Sequence, residues 1–397
     1  MTTYISEQIQ ERYFDTDSLV GAILSIKKDG KEIHWSEYGY RDREKNLPMT
    51  RDTIFRIASM TKPVVSFGMM ILINKGLVSL SDPVHRFIES WKTLNCLGNV
   101  ASSPHDIRHD IRPCENTMTI QDLLRHTSGL TYGMMHSNAV DAEYRKLNIP
   151  NREISSDRFL KALATLPLLF EPGTKWNYSV STDVLGCIIE IVTGSSLGEF
   201  LCTEIFEPLK MSDTSFFLKN SDSNRLAANY VISREGSPLR DDHPMTAPTF
   251  SDPIFHSGGG GLFSTIDDCD KFSQLIVNKG KLDGAALVNE KIFNSMTSDN
   301  IGHLPKLKKT SYGSLGNQDL SGHGFGLGFY ILNDPGEANL AAGVGELSSF
   351  GALSTFSWID METNITATFL SQMRPFTAFN LWSEIRNLIY SKDANVS

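Results

Sequence analysis

The chain has 397 residues with a formal net charge of −9, and 40% of its residues are hydrophobic while 21% are charged. This length exceeds the usual ~100–200 residues of one domain, so we expect two lobes or one large domain with a sizeable core. The excess of acidic over basic residues argues against nucleic acid or an anionic membrane as the partner.

The N-terminus, MTTYISEQIQERYFDTDSL, has no basic segment followed by an apolar one, so it predicts a short amphipathic helix rather than a secretory signal. The longest nearly apolar run, near residues 64–73, is too short to cross a bilayer. The five cysteines are scattered without a CxxC motif, which is typical of free thiols in a reducing compartment. We therefore expect a cytoplasmic protein without membrane contact.

Strand patterns occur at both ends of the chain. GAILSIKKDGKEIHWSEYGY contains two β-prone runs around Asp29 and Gly30, which predicts a hairpin because both residue types tolerate a positive φ. Strand signals return in HGFGLGFYIL, SSFGALSTFSWID and TNITATFL, before a last helix near NLWSEIRNLIY. These patterns predict one antiparallel sheet built from both termini.

Helical patterns fill the middle of the chain. KPVVSFGMMILINKG predicts a helix that ends at Gly76, and residues from about 77 to 255 are mainly helical in pattern. An α+β fold with a helical lobe inserted into the sheet domain is the simplest interpretation. We assign residues 1–80 and 256–397 to the sheet domain and 81–255 to the mainly helical domain, with the active site between them.

The segment FRIASMTKPV places Ser59 three residues before Lys62 in an otherwise apolar stretch. A serine hydroxyl needs a base within hydrogen-bond reach to act as a nucleophile. If Ser59 opens a helix, Lys62 lies one turn further on nearly the same face. Burial among Met60, Val64 and Val65 would lower the pKa of that lysine enough for it to accept the proton. The alternative is a serine cap beside a surface lysine.

A second candidate nucleophile is Ser196, because GSSLG matches the GxSxG signature of a nucleophile elbow. Such an elbow needs a strand before the serine and a helix after it. The apolar residues before Ser196 have helical rather than alternating spacing, and Gly194 fits the end of that helix. Ser196 and Glu199 have the spacing of a capping box, so we interpret Ser196 as a helix cap.

Three further motifs have structural explanations. The SGGGG run at residues 257–261 is not followed by GK[ST], so we interpret it as a tight turn rather than a phosphate loop. HDIRHDIR places His105 and His109 four residues apart, but no third ligand cluster accompanies them, and a surface loop is the favoured interpretation. His323 is expected to have a satisfied polar role. We predict neither a metal nor another cofactor.

An ordered set of motifs accompanies Ser59: SMTK, LLRHTSGL, EPGTKWNYS, GGGGLFST, FGLGF and a C-terminal FSWID. Over about residues 15–390 the sequence resembles the serine β-lactamase-like hydrolases, in particular class C β-lactamases and family VIII carboxylesterases. The resemblance implies a β-lactamase/transpeptidase-like fold. It also implies Ser59 as nucleophile, Lys62 as its partner in proton transfer, and Tyr178 as the group that passes the proton between Ser59 and the leaving group.

The family's third motif is a triplet on an edge strand that ends in glycine. Counted back from FSWID, the triplet falls on Ser349, Phe350 and Gly351, which the resemblance makes substrate-binding residues. The backbone N–H of the next residue, Ala352, would join that of Ser59 in an oxyanion hole.

The sequence departs from the lactamase pattern at two positions that help to hold a substrate carboxylate and an amide. Ser349 replaces the expected basic residue, and Val180 replaces the asparagine two positions after the tyrosine. Phe350 inside the triplet is also unusual. These departures favour a neutral ester over a β-lactam or a D-amino peptide.

We therefore predict a serine carboxylesterase that hydrolyses small, neutral esters with short acyl chains through an acyl-Ser59 intermediate. Its expected partner is the small-molecule ester, and the oligomeric state is left open. One alternative is an acyltransferase on the same scaffold, and a second is a weak β-lactamase or D-amino peptidase. A third, a non-catalytic binding homologue, is disfavoured by the intact set of Ser59, Lys62 and Tyr178.

Overall fold

The structure, a computed structural model, describes residues 2–98, 111–135, 138–242, 247–305, 307, 310–311, 317–376 and 378–390. The α-helices in this part of the chain are α1 Thr2–Ile9, α2 Thr61–Asn74, α3 Ile120–Leu124, α4 Ala139–Lys146, α5 Ser156–Ala164, α6 Ser181–Thr193, α7 Leu197–Leu201, α8 Glu207–Leu209, α9 Ile266–Val277, α10 Glu290–Thr297, α11 Pro335–Ala338 and α12 Leu381–Ile389. The strands are β1 Gly21–Lys28, β2 Lys31–Asp42, β3 Leu47–Pro48, β4 Phe55–Arg56, β5 Asn95–Leu97, β6 Ile111–Pro113, β7 Tyr230–Ile232, β8 Pro238–Arg240, β9 Phe263–Ser264, β10 Lys281–Leu282, β11 Ala285–Ala286, β12 Thr310–Ser311, β13 Asn317–Gln318, β14 His323–Phe325, β15 Tyr330–Leu332, β16 Leu347–Gly351, β17 Thr355–Asp360, β18 Ile365–Ser371 and β19 Met373–Arg374.

The large sheet has eight strands in the order β14-β15-β16-β17-β18-β1-β2-β3. All neighbours are antiparallel, and β1 lies between its hairpin partner β2 and the C-terminal strand β18. The predicted hairpin is confirmed, since Asp29 and Gly30 have φ values of 50° and 73° and join β1 to β2. An α+β fold with an antiparallel sheet built from both ends of the chain is therefore confirmed.

Both faces of the sheet are covered, because successive strand residues point to opposite sides. Ile23 pairs with Leu370, and both side chains belong to the core that contains α2. Leu24 pairs with Phe369, and both belong to a second core that contains the apolar face of α12. The sheet is thus a layer between two hydrophobic cores, and α2 is buried against one side of it.

The middle of the chain contains α3 to α8, as the helical patterns predict, together with the short strands β5 to β8. Helix α6 packs against α2, and β4 pairs with β9 just before the start of α2. These two contacts bring the middle segment and the glycine-rich turn to the N-terminus of α2. The division into residues 1–80 with 256–397 and 81–255 stays a prediction.

No single helix within the described ranges is long and apolar enough to cross a membrane. Helix α6 and the segment Leu197–Leu209 meet that criterion only when they are taken together, and they are bent by 83° relative to each other. All five cysteines are free thiols, as expected. The cellular compartment stays a prediction.

Candidate active site

Ser59 lies in the 3₁₀ turn Ala58–Met60, which leads directly into α2. Ala58 has a φ of 47°, a left-handed conformation that costs a non-glycine residue about 1–3 kcal/mol unless its surroundings hold it. The turn is held from two sides: Ile57 N donates to Leu262 O at 3.1 Å, and Thr355 Oγ1 donates to Ile57 O at 3.1 Å. Segments far apart in sequence therefore fix the backbone that presents Ser59.

Lys62 lies in the first turn of α2 and is only 3% exposed. Its Nζ is 3.2 Å from Ser59 Oγ and 2.6 Å from the carbonyl oxygen of Gly259. Burial lowers the pKa of Lys62 to about 7, against the opposing effect of the Asp183 carboxylate, which raises it. The predicted burial of Lys62 is confirmed. A substantial fraction of neutral amine is present near pH 7, and a neutral amine can take the proton of Ser59.

Tyr178 lies on the loop before α6 and faces the same two groups. The centre of its ring is 4.5 Å from Lys62 Nζ, and its hydroxyl is hydrogen-bonded to the Ser59 side chain. Burial raises the pKa of Tyr178 above its usual range, more than Ser59 lowers it. The phenol therefore stays protonated at neutral pH, and it is suited to donate a proton. The structure brings Ser59, Lys62 and Tyr178 together, as the sequence predicts.

The LLRHTSGL motif holds the loop that carries Tyr178. Asn177 N donates to His126 O at 2.9 Å, and Val180 N donates to Thr131 O at 3.2 Å. The ring of His126 lies 4.8 Å from that of Tyr178. Burial and the nearby Lys62 charge lower the pKa of His126 well below its ordinary value, so this imidazole is a neutral packing partner at pH 7.

Asp183, in the first turn of α6, is a site residue that the sequence patterns do not single out. The carboxylate is fully buried. It accepts hydrogen bonds from Ser257 Oγ at 2.6 Å and from Gly259 N at 3.0 Å. Tyr132 Oη approaches its other oxygen at 3.5 Å, and the Tyr132 ring centre is 5.2 Å from Lys62 Nζ. Asp183 thus fixes the glycine-rich turn whose carbonyl binds Lys62.

The contact between Gly259 and Asp183 explains why the SGGGG run has glycine at position 259. A Cβ atom on Gly259 would lie 2.3 Å from Asp183 Oδ2 and 2.6 Å from the Tyr132 hydroxyl, which no side chain can accommodate. Residue 259 must be glycine so that its N–H reaches Asp183 while its C=O reaches Lys62. The interpretation of this run as a tight turn rather than a phosphate loop agrees with the observed turn before β9.

The third motif lies on β16, and its expected place on an edge strand is wrong, because β16 lies between β15 and β17. However, β15 pairs only with Leu347 and Ser348, so residues 349–351 pair with β17 alone. Gly351 approaches the Ser59 turn so closely that a Cβ atom there would lie 2.6 Å from Ile57 O. This contact places the end of β16 beside the turn.

The side chains of the triplet point to opposite faces of β16. Ser349 Oγ lies 3.2 Å from Ser357 Oγ in the interior. Phe350 faces the other way, with its ring 5.2 Å from that of Tyr330. Tyr330 in turn contacts Trp176 at 6.2 Å, and Trp176 contacts Tyr178 at 6.4 Å. A line of aromatic rings therefore runs from the triplet to Tyr178. The roles of Ser349, Phe350 and Gly351 in binding substrate stay predictions.

The roles of Ser59 N and Ala352 N as an oxyanion hole also stay predictions. Ala352 directly follows β16, next to the contact between Gly351 and the Ser59 turn.

The rival serine has the structural role that its spacing predicts. Ser196 Oγ accepts a hydrogen bond from Glu199 N at 3.2 Å, and the Glu199 carboxylate accepts one from Ser196 N at 3.0 Å. This reciprocal pair is a complete capping box at the start of α7. Gly194 ends α6 with a φ of 71°, so a helix rather than a strand precedes Ser196.

The structure describes one of the two histidine motifs that the sequence analysis names. His105 and His109 lie outside the described residues. His323 is buried in β14, with its Nδ1 3.1 Å from Ser321 O, and burial lowers its pKa to about 4. Its Nε2 is buried without a hydrogen-bond partner among the described residues, so the expected satisfied polar role is confirmed for Nδ1 and wrong for Nε2.

One group of potential metal ligands, Cys96, Cys114 and Glu171, lies within 4.8 Å in the part of the chain that the structure describes. The Glu171 carboxylate accepts hydrogen bonds from the backbone of Glu115 and Asn116. It therefore serves as the anchor of a loop, and the group does not argue for a bound metal.

Comparisons with known proteins agree with this geometry. The family model described as Beta-lactamase matches residues 7–387. Protein Rv1367c of Mycobacterium tuberculosis is 34% identical over 364 residues, which cover 91% of this chain and 88% of that protein. Esterase EstB of Burkholderia gladioli is 29% identical over 361 residues, which cover 86% and 82%. The solved structure of EstCE1, described as a hydrolase with promiscuous acyltransferase activity, superposes with a TM-score of 0.79 at 25% identity and covers 98% of each chain.

The chain belongs to the β-lactamase family, and the protein is a serine hydrolase. The family and the fold that the motifs predict are therefore confirmed.

Replacing Tyr178 with phenylalanine removes the hydroxyl and keeps the ring. We expect turnover to fall by about 10²–10⁴, the usual contribution of a general acid or base, while the free energy of unfolding changes by less than about 1 kcal/mol. Turnover and thermal unfolding are measured on the same preparation, with Tyr40→Phe as an exposed control. Near-normal turnover with a lowered melting temperature would make Tyr178 structural only.

The pH profile of kcat/KM should rise through an apparent pKa near 7, because the neutral form of Lys62 is the active one. Asp183→Asn removes the negative charge that raises the pKa of Lys62, so the acidic limb should move to lower pH. Asp157→Asn, at an exposed carboxylate that pairs with Lys161, is the matched control and should leave the limb in place. An acidic limb unchanged by Asp183→Asn would show that this carboxylate does not act on the titrating group.

Proposed function

We propose that this protein hydrolyses small, neutral carboxylic esters through an acyl-enzyme on Ser59. The observation that carries the proposal is the position of the buried Lys62 amine, 3.2 Å from Ser59 Oγ, with a pKa lowered to about 7. A serine beside a base of this kind is an activated nucleophile. The names of EstB and EstCE1 support ester chemistry for the site.

Acylation follows from the placement of the three side chains. Ser59 Oγ attacks the ester carbonyl carbon, and its proton passes to Lys62 Nζ. The negative charge on the former carbonyl oxygen is stabilised by the N–H groups of Ser59 and Ala352. When the bond from carbon to the alcohol oxygen breaks, that oxygen takes the phenolic proton of Tyr178, and the Lys62 ammonium returns a proton to the tyrosine. The products are the alcohol and acyl-Ser59.

Deacylation uses the same groups with water as the nucleophile. Lys62, neutral again, accepts a proton from the water as its oxygen attacks the acyl carbon. The bond from that carbon to Ser59 Oγ then breaks, and Ser59 regains a proton through Tyr178 and Lys62. The carboxylic acid is released. Lys62 is therefore the base of both steps, and Tyr178 is the donor, because their pKa values are shifted in opposite directions from their ordinary ranges.

The surroundings of the site support a neutral substrate. Val180, at the position where a lactamase has asparagine, is completely buried in the core. Ser349, at the position of the basic residue, contacts Ser357 in the interior. Aromatic rings lie beside Tyr178 instead, because Trp176 contacts Tyr178 and also Tyr330, which contacts Phe350. An apolar wall binds the uncharged body of an ester and gives no counter-charge to a carboxylate.

Acyl transfer is the second candidate, because EstCE1 is described as having promiscuous acyltransferase activity and the curated relative calJ of Penicillium decumbens is named an acyltransferase. In that reaction an alcohol takes the place of water in deacylation. The two are separated by adding an alcohol to an ester hydrolysis and measuring the ratio of new ester to free acid. If the ratio of new ester to free acid is higher than the ratio of the alcohol concentration to the water concentration, the acyl-enzyme prefers the alcohol and the protein is a transferase.

We expect Ser59→Ala to abolish hydrolysis of a butyrate ester, because the substitution removes the oxygen that forms the acyl-enzyme. Ser196→Ala should retain most of the activity and lose about 0.5–2 kcal/mol of stability, the usual value of a helix cap. Both variants are assayed beside wild type, and a fluorophosphonate probe identifies the labelled serine by mass spectrometry. Labelling of Ser196 instead of Ser59 would overturn the assignment.

The same hydrolysis assay, extended to a β-lactam, tests the substrate class. A missing partner for a buried substrate carboxylate costs about 2–5 kcal/mol, or roughly one and a half to four decades in rate. Benzylpenicillin should therefore be turned over at least about thirtyfold more slowly than the butyrate ester. Comparable rates for the two substrates would refute the preference for neutral esters, while leaving the role of Ser59 intact.

A further inference from the structure

A cavity of about 350 Å³ lies between the end of β2, strand β8 and the segments before β7 and after β8. Ser59, Lys62 and Tyr178 do not line it. Six of the fourteen described residues that line it are apolar, and among them Phe250 is 39% exposed. We call this space the Arg56 cavity, after the cation at its wall. Its size suits a small organic molecule rather than a single ion.

Arg56 is the reason to expect a ligand. The residue is 8% exposed. One terminal nitrogen, Nη1, donates to Ala227 O at 2.9 Å and is 3.5 Å from Gln372 Oε1. Its Nε is buried and has no hydrogen-bond partner among the described residues. Both contacts of Nη1 are to neutral oxygens, and Cζ lies 5.8 Å from the centre of the Phe263 ring, so the guanidinium charge is held in the interior by neutral groups. A buried charge without an opposite charge is costly, and an anion that reaches it is bound correspondingly well.

The described carboxylates near Arg56 do not form an ion pair with it. Burial and the positive charges of Arg152 and Arg240 lower the pKa of Arg56, while Asp241 acts in the opposite direction. The Asp241 carboxylate is engaged by another cation, since its Oδ2 lies 2.7 Å from Nε of Arg374. Because a guanidinium keeps its proton under all ordinary conditions, Arg56 remains a cation.

Other charged groups at the cavity are paired with each other. Arg240 lies 3.1 Å from Asp42 and 3.2 Å from Asp242, and Lys45 lies 3.2 Å from Asp42. A multiply charged anion would be repelled by these carboxylates, whereas a single negative charge matches the charge of Arg56. The apolar part of the wall suits a ligand whose remaining atoms are uncharged and hydrophobic.

We propose that the Arg56 cavity binds a small monocarboxylate with an apolar body, such as a short-chain fatty acid. The carboxylate accepts a hydrogen bond from the guanidinium of Arg56, a charge-assisted contact that suits these two groups. The hydrocarbon chain lies against Leu226, Ala247 and Phe250. This binding site is separate from the residues that carry the proposed reaction, and it stands whether or not the protein is an esterase.

The test is calorimetric titration of the full chain with hexanoate, with hexanamide as the uncharged probe and inorganic phosphate as the charged probe without an apolar body. We expect hexanoate to bind at least about tenfold more tightly than either. Arg56→Gln should weaken hexanoate binding by about ten- to a hundredfold, the value of a hydrogen bond to a charged group. Ser59→Ala is the control variant and should bind hexanoate as wild type does.

A second variant keeps the proposal testable if Arg56→Gln does not fold. Ala247 is exposed at the cavity wall, so Ala247→Trp should fold normally and fill the space that the hydrocarbon chain needs. Folding of each variant is checked by circular dichroism. Wild-type affinity for hexanoate in a folded Arg56→Gln or in Ala247→Trp would overturn the proposal. So would equal affinity for hexanamide or phosphate, or loss of binding in Ser59→Ala alone.

Discussion

The active site depends on the burial of one amine. Lys62 is 3% exposed, and its Nζ contacts only the Gly259 carbonyl and the Ser59 hydroxyl at hydrogen-bond distance among the described residues. Removal from water disfavours the ammonium form, and this converts an ordinarily cationic side chain into a base that works near neutral pH. Without that burial, Ser59 would have no proton acceptor of suitable strength.

Several parts of the structure serve to hold that amine and its partners. Asp183 binds the N–H of Gly259, and the carbonyl of the same glycine binds Lys62. Thr355, at the start of β17, holds the strained turn that presents Ser59. The His126 segment holds the loop that carries Tyr178. Three catalytic groups from two distant segments are thus fixed by hydrogen bonds from several parts of the chain rather than by a single element.

The sequence predicts the parts of this arrangement that are local. Hairpin chemistry at Asp29, capping-box spacing at Ser196 and the β-prone runs near the C-terminus each depend on neighbours within a few residues, and each is found in the structure. Ser59 and Lys62 are also neighbours, so their contact is visible as a spacing. Tyr178 is assigned through its motif, because nothing local shows that it reaches Ser59 from more than one hundred positions away.

The sequence patterns do not predict contacts between distant segments. Asp183 and Tyr132 are 51 positions apart in the sequence, so their contact has no local signal. The expected edge position of the third motif is wrong because the short hairpin of β14 and β15 adds to the sheet beyond β16. Strands β5 to β8 have only three residues each, which is too short for alternation to be recognised.

The most direct test of this account is the titration of Lys62 itself, followed by NMR in protein with labelled lysine side chains. The Lys62 signal is assigned from its absence in the spectrum of Lys62→Met. The account predicts a midpoint near pH 7, far below that of an exposed lysine. A Lys62 side chain that stays protonated above about pH 10, as an exposed lysine does, would contradict the central claim, because it could not then accept the proton of Ser59.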